Sequence, residues 1–219
     1  MPFSPGESIR FGWETFKRRP WFFVGATVVI AILYGIAGGL SSGVDAMFGG
    51  SAEEPTFAGS IVNYVLGLLI GMGVTAFYLA AHDNPDGAQL GMLWHPQPFL
   101  KFLGTSILAT LAIGIGFVLL IVPGIIAMIL FMFSTIIVID RELGPIDAMK
   151  ESMRITAGHR WSLLGLLVLL LLILFAGVLA LFVGLLVAMP VATLAFVHAY
   201  RTVSGSAKEA PPVDARLAA

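Results

Sequence analysis

Cysteine is absent from all 219 residues, and charged residues make up only 11% of them. The first absence excludes disulfides, thiolate nucleophiles and cysteine-based metal or iron–sulfur centres. The second sets the chain far from soluble proteins, in which about a quarter of residues are charged. Twelve basic and thirteen acidic residues leave a formal net charge of -1, so there is no basic excess to engage nucleic acid. A short apolar core leading to a small-residue cleavage site is also missing near the N-terminus, so the first apolar run reads as a retained span. What remains is apolar: 58% of residues are hydrophobic and the mean hydropathy is +0.95.

Hydrophobic runs near the length needed to cross a ~30 Å hydrocarbon core predict an all-α, polytopic membrane bundle of six transmembrane helices. The expected spans cover about residues 21–40, 57–81, 102–122, 123–139, 161–182 and 185–203. Two shorter amphipathic segments, 5–19 and 145–157, are expected to lie in the membrane plane. Together they form one membrane domain, 1–203, with a flexible tail over 204–219. Ser4-Pro5-Gly6-Glu7 has the pattern of a capping box opening the first amphipathic helix, whose Ile9, Trp13 and Phe16 recur at helical spacing. In the second, Ile146, Met149, Met153 and Thr156 form the apolar stripe, and Gly158 is placed to end the helix.

Small residues at four-residue spacing, Gly35, Gly39 and Gly43, followed by Gly67 and Gly71 in the second span, are candidates for close helix packing. Asn63 is expected to bond across helices, because hydrocarbon supplies no partner for its amide. Pro190 interrupts the hydrogen-bond ladder of the sixth span.

With six spans, all twelve lysines and arginines fall at one end of the bundle. Those ahead of the first span are Arg10, Lys17, Arg18 and Arg19, and the central loop carries Arg141, Lys150, Arg154 and Arg160. Trp13, Trp21, Trp94 and Trp161 share that end. The asymmetry predicts a bacterial cytoplasmic, or inner, membrane protein with both termini in the cytoplasm. Arg10, Trp13, Lys17, Arg18, Arg19, Trp21, Lys150, Arg154, His159, Arg160 and Trp161 are the candidate contacts to lipid headgroups or a partner.

Catalytic signatures are lacking. His82, Asp83, Asp86 and His95 cluster in sequence, but their spacing matches no helical zinc motif, and no metal or other cofactor is expected. His198, beside Tyr200 and Arg201, reads as a neutral interfacial histidine. Apart from Arg201 at the end of the sixth, carboxylates, lysines and arginines are missing from the spans, where pumps and proton relays hold ionisable groups. A non-enzymatic accessory, scaffolding or regulatory subunit of a membrane complex is therefore expected, with membrane lipids and other membrane-protein subunits as partners. The alternative is a protein that binds or transports a lipid or small molecule.

Glu7-Ser8-Ile9-Arg10 echoes Glu151-Ser152-Met153-Arg154, and each is followed by a tryptophan-marked entry to a span. A repeat of two three-span halves would place those helices at opposite ends, so no such repeat is assigned. The combination of Val122-Pro123-Gly124-Ile125-Ile126, the stretch from Gly144 to Ser152, and Gly158-His159-Arg160-Trp161 resembles a group of bacterial six-span proteins of uncharacterised function. That group includes the membrane domain joined to glycerophosphoryl diester phosphodiesterases. The resemblance implies a fold and topology, without a catalytic domain to carry residues from.

Overall fold

The computed structural model describes residues 3–51, 53–94, 98–181 and 183–205. Among them the chain is helical and contains no strand. The elements are α1 (Pro5–Arg18), α2 (Pro20–Met47), α3 (Phe57–Asp83), a 3-10 turn (Leu90–Trp94), α4 (Phe99–Leu119), α5 (Ile121–Phe131), α6 (Ser134–Arg141), α7 (Pro145–Thr156), α8 (Arg160–Leu179) and α9 (Leu185–Val203). Counting the broken pair α5–α6 as one, six helices are long and apolar enough to cross a membrane, which makes this a multi-pass membrane protein.

The first span runs further than hydropathy implied. At 28 residues, α2 is about 42 Å long at 1.5 Å per residue, well beyond the hydrocarbon core. Its polar end stays helical because α3 meets its side chains. Ser41 Oγ donates to the Gly59 carbonyl at 2.8 Å. The buried carboxylate of Asp45 accepts from both the backbone N–H and the hydroxyl of Thr56, each at 2.6 Å. Thr56 in turn caps α3 by accepting from the Gly59 N–H.

The α4–α5 hairpin turns at Leu120, earlier than the expected 122/123 boundary. Gly116 lies at that turn, where an added Cβ would stand 3.0 Å from Gly124 Cα, so the absence of a side chain lets the two legs approach closely. The expected fourth span divides at Met132 and Phe133 into α5 and α6. Beyond it, α9 forms the centre of the bundle, with Ala188, Val191, Ala192, Leu194, Ala195, Val197, Ala199 and Tyr200 buried against α1, α2, α3 and α8. Pro190 is accommodated inside a continuous α9.

Several expected contacts are corrected. Gly35, Gly39 and Gly43 lie on an open face of α2, where an added Cβ would meet nothing within 4 Å. Gly67 is likewise open, and a Cβ on Gly71 would meet Tyr34 Oη at an ordinary 3.7 Å. Asn63 is exposed and makes no side-chain hydrogen bond among the described residues, because its face of α3 has no helix opposite. Ser4 precedes α1 in extended conformation but forms no side-chain cap bond, so the capping box is not made.

The two shorter helices bury part of their expected stripes, Phe16 and Thr156, together with small residues beside them. Helix α1 turns Ser8, Gly12, Thr15 and Phe16 inward and leaves Trp13 45% exposed. Helix α7 buries Ala148, Ser152, Ile155 and Thr156, with Ile146 61% exposed. Small side chains at helical spacing let backbones approach closely, and both helices use them to pack on the spans.

Candidate functional site

The charged ends of α3, α6, α7 and α9 converge into one network. Arg201, in the last turn of α9, donates from Nη2 to Asp83 Oδ2 at 2.6 Å and pairs through Nη1 with Asp140 Oδ1 at 2.7 Å. Its side chain is 12% exposed and that of Asp140 13% exposed, so both charges sit in surroundings that give their pairing weight. Tyr200 Oη donates to the other Asp140 oxygen at 2.6 Å. One arginine thereby ties three span ends together.

Asp83 continues the network to a pair of histidines. His82 Nδ1 lies 3.0 Å from Asp83 Oδ1, and His82 Nε2 lies 3.1 Å from His198 Nδ1. The His198 ring stacks on Phe11 of α1 with centroids 4.1 Å apart, and the His82 ring lies tilted against it at 4.7 Å. A chain of acceptor and donor nitrogens between a carboxylate and an aromatic face orders these rings. Among the described residues there is no group of three or more histidine or carboxylate side chains that could hold a metal ion, and His95 lies outside them.

On α7, Glu151 accepts from Arg141 at 2.6 Å and from Arg154 at 2.6 Å through its other oxygen. The hydrogen bonds from Arg154, with its charge and the Arg141 guanidinium adding to them, hold the Glu151 carboxyl below the usual carboxylate range against the opposing effect of desolvation. Arg141 also stands 3.9 Å from Asp140, which links this cluster to the Arg201 node.

Of the residues anticipated as partner or headgroup contacts, several serve the fold. Arg19 donates from Nη1 to the carbonyl oxygens of Pro85, Asp86 and Ala88 at 3.3, 3.0 and 3.3 Å. Its guanidinium also covers the Phe22 ring at 4.1 Å. Arg154 serves Glu151, Arg10 pairs with Glu14 at 2.8 Å, and His159 meets the edge of Phe3. Lys17 stands over the Trp13 ring at 5.9 Å. Arg18, Lys150 and Arg160 form no hydrogen bond or ion pair among the described residues. Trp21 and Trp161 are each 86% exposed. The basic residues Lys208 and Arg216 lie outside the described residues.

Sequence reasoning missed Arg201, Asp140 and Tyr200 as a unit, since nothing along the chain signals pairing between positions 60 residues apart. The sequence offers a cue to position but not to pairing: Asp83, Asp140 and Arg201 are each the first charged residue after an apolar run, at the same end of the bundle.

The chain belongs to the family described as a domain of unknown function, DUF7847, whose model matches residues 87–210. It is similar to the Uncharacterized protein Rv2560 of Mycobacterium tuberculosis, at 28% identity over 241 residues covering 96% of this chain and 73% of the relative. The same figures hold for the Uncharacterized protein Mb2590 of Mycobacterium bovis. No solved structure matches the chain.

Proposed function

We propose that this protein is a non-enzymatic accessory or scaffolding subunit of a membrane complex. It sits in the bacterial inner membrane with both termini in the cytoplasm and meets its partner through the basic end of the bundle. The observation that carries this reading is the division of labour among the basic residues. Arg19, Arg141 and Arg201 are used within the fold, whereas Arg18, Lys150, Trp21 and Trp161 remain available at the same end. The ionisable network supports the same reading, because Asp83, Asp140, Glu151, Arg141 and Arg201 are engaged with one another. The resemblance to the membrane domain joined to glycerophosphoryl diester phosphodiesterases fits a module that serves a separate activity.

Isolation from native membranes in mild detergent should recover a stoichiometric protein partner. The combined Arg18→Glu and Lys150→Glu substitutions should release it; repeated recovery of a lone monomer overturns the role. Orientation is tested separately in the cysteine-free background. A membrane-impermeant maleimide added to intact cells should label Ser51→Cys and spare Lys150→Cys, and the reverse pattern would place the termini outside.

A further inference from the structure

A crevice of about 490 Å³ opens between α5 and α8. Ile125, Ile126 and Ile129 line it from α5; Arg160, Trp161 and Leu164 line it from α8. We propose that it seats one acyl chain of an anionic membrane phospholipid whose phosphate is held by Arg160.

Three observations lead there. The lining is apolar apart from the Arg160 head and the Trp161 indole, so it suits hydrocarbon. A peptide segment would leave backbone N–H and C=O groups unsatisfied in it, at a cost of several kcal/mol or about that per group. Arg160 is exposed and forms no ion pair among the described residues, whereas Arg141, Arg154 and Arg201 all face carboxylates. Its planar fork matches the oxygens of a phosphate, and a net negative headgroup leaves that charge uncompensated by a neighbouring choline. Trp161, 86% exposed beside it, has the amphipathic ring suited to headgroup depth. A second crevice, of about 350 Å³ and reaching Trp94 between α2 and α3, has no cation in its lining and supplies an internal contrast.

The site deepens the lipid-binding alternative of the sequence analysis and does not depend on the accessory role, so failure of partner isolation leaves it standing. Native mass spectrometry of the detergent-purified full chain, offered equal amounts of dioleoyl phosphatidylglycerol and dioleoyl phosphatidylcholine, reads it directly. One phosphatidylglycerol per chain should be retained in preference. Arg160→Gln should reduce that preference about tenfold, in line with loss of a charge-assisted hydrogen bond. Lys101→Gln, which removes a cation whose Nζ donates to Glu142 O at 2.6 Å, away from the crevice lining, should leave it unchanged. Ile126→Trp, filling the crevice, should abolish retention there of either lipid. Arg160→Lys should keep part of the preference, which guards against a folding artefact in Arg160→Gln. Equal retention of the two lipids, insensitivity to Arg160→Gln, retention despite Ile126→Trp, or displacement by free sn-glycerol 3-phosphate as effective as by the lipid would each overturn the proposal.

Discussion

Helices α1 and α7 hold equivalent positions in the chain, each just before a tryptophan-marked span, yet they solve the problem of packing against a span in opposite ways. Helix α1 meets an intact helix and makes room by subtraction. A Cβ on Gly12 would stand 2.5 Å from Val191 O and 3.0 Å from Ala195 N, so the backbones of α1 and α9 touch where no side chain fits. Helix α7 meets a broken helix and supplies what the break removed. The Ser152 hydroxyl donates to Leu130 O at 2.7 Å and accepts from Phe133 N–H at 3.3 Å, bridging α5 to α6. Their matching serines differ accordingly: both are buried, but Ser8 Oγ reaches only Ser4 O within its own segment, at 3.5 Å. Similar sequence therefore marks a similar placement and not a shared function for the residue.

The same pairing resolves the conflict that a repeat of three-span halves would create. Four crossings, α2, α3, α4 and α5–α6, separate α1 from α7, so both helices return to one end. The units that correspond are α1–α2–α3 and α7–α8–α9, each a short helix followed by a hairpin. Neither short helix lies free on the surface. Ala195 is six residues, about 9 Å, inward of Arg201 along α9, and Phe133 is eight residues, about 12 Å, inward of Arg141.

Substitution at the two contact points tests this comparison most strongly. Gly12→Leu should give the largest loss, about 3 kcal/mol or more, because backbone atoms of α9 cannot move aside as a side chain tip would. Thermal unfolding in detergent reads it, and Gly35→Leu on the open face of α2 should change the midpoint little. An equal response at the two glycines would remove the special status of the α1–α9 contact.

Ser152→Ala should cost about 1–3 kcal/mol by leaving Leu130 O and Phe133 N–H without their bridge, whereas Ser8→Ala should cost less than about 0.5 kcal/mol. Comparable losses would mean that α1 and α7 are held in the same way after all.

A smaller effect is expected from pH. The Glu151 carboxyl has a lowered folded-state pKa, so its pairing contributes stability above its unfolded value of about 4.3 and loses that contribution as pH falls through the folded value. In wild type the melting midpoint should fall over that acid interval, and Glu151→Gln should remove this part of the fall. An unchanged acid response in the variant would assign the dependence to other carboxylates. The smallest effect belongs to Asn63→Leu, which should leave stability within about 0.5 kcal/mol because the amide has no partner among the described residues.

Much of this architecture was legible because the bilayer imposes one-dimensional rules. Apolar length marked the six crossings, and the sixth matched at 185–203. The location of the basic residues followed from counting crossings, and Arg19, Arg141, Lys101 and Arg201 do meet partners near one another in chain topology. Partner choice was not legible. The pattern Gly35, Gly39, Gly43 is as good a packing signature as any in the chain, yet glycines outside it, Gly12, Gly73 and Gly116 among them, make close backbone contacts, because a glycine's use depends on what stands opposite. Asp45 illustrates the same limit. It falls between the expected spans 21–40 and 57–81, and Thr56 and Gly59 supply the donors and space that allow its helix to continue. The Arg201 node escaped for the same reason, each member being ordinary by itself.

Order of synthesis follows from where α1 rests. The contacts that fasten α2 to α3, from Arg19 to the 85–88 turn and from Asp45 to Thr56, close within one early stretch of chain, so that hairpin can assemble as soon as it is made. Helix α1 precedes them in the chain, but the backbone that receives Gly12 belongs to α9. Helix α1 is therefore made well before the surface that receives it, and its docking waits until α9 has been made.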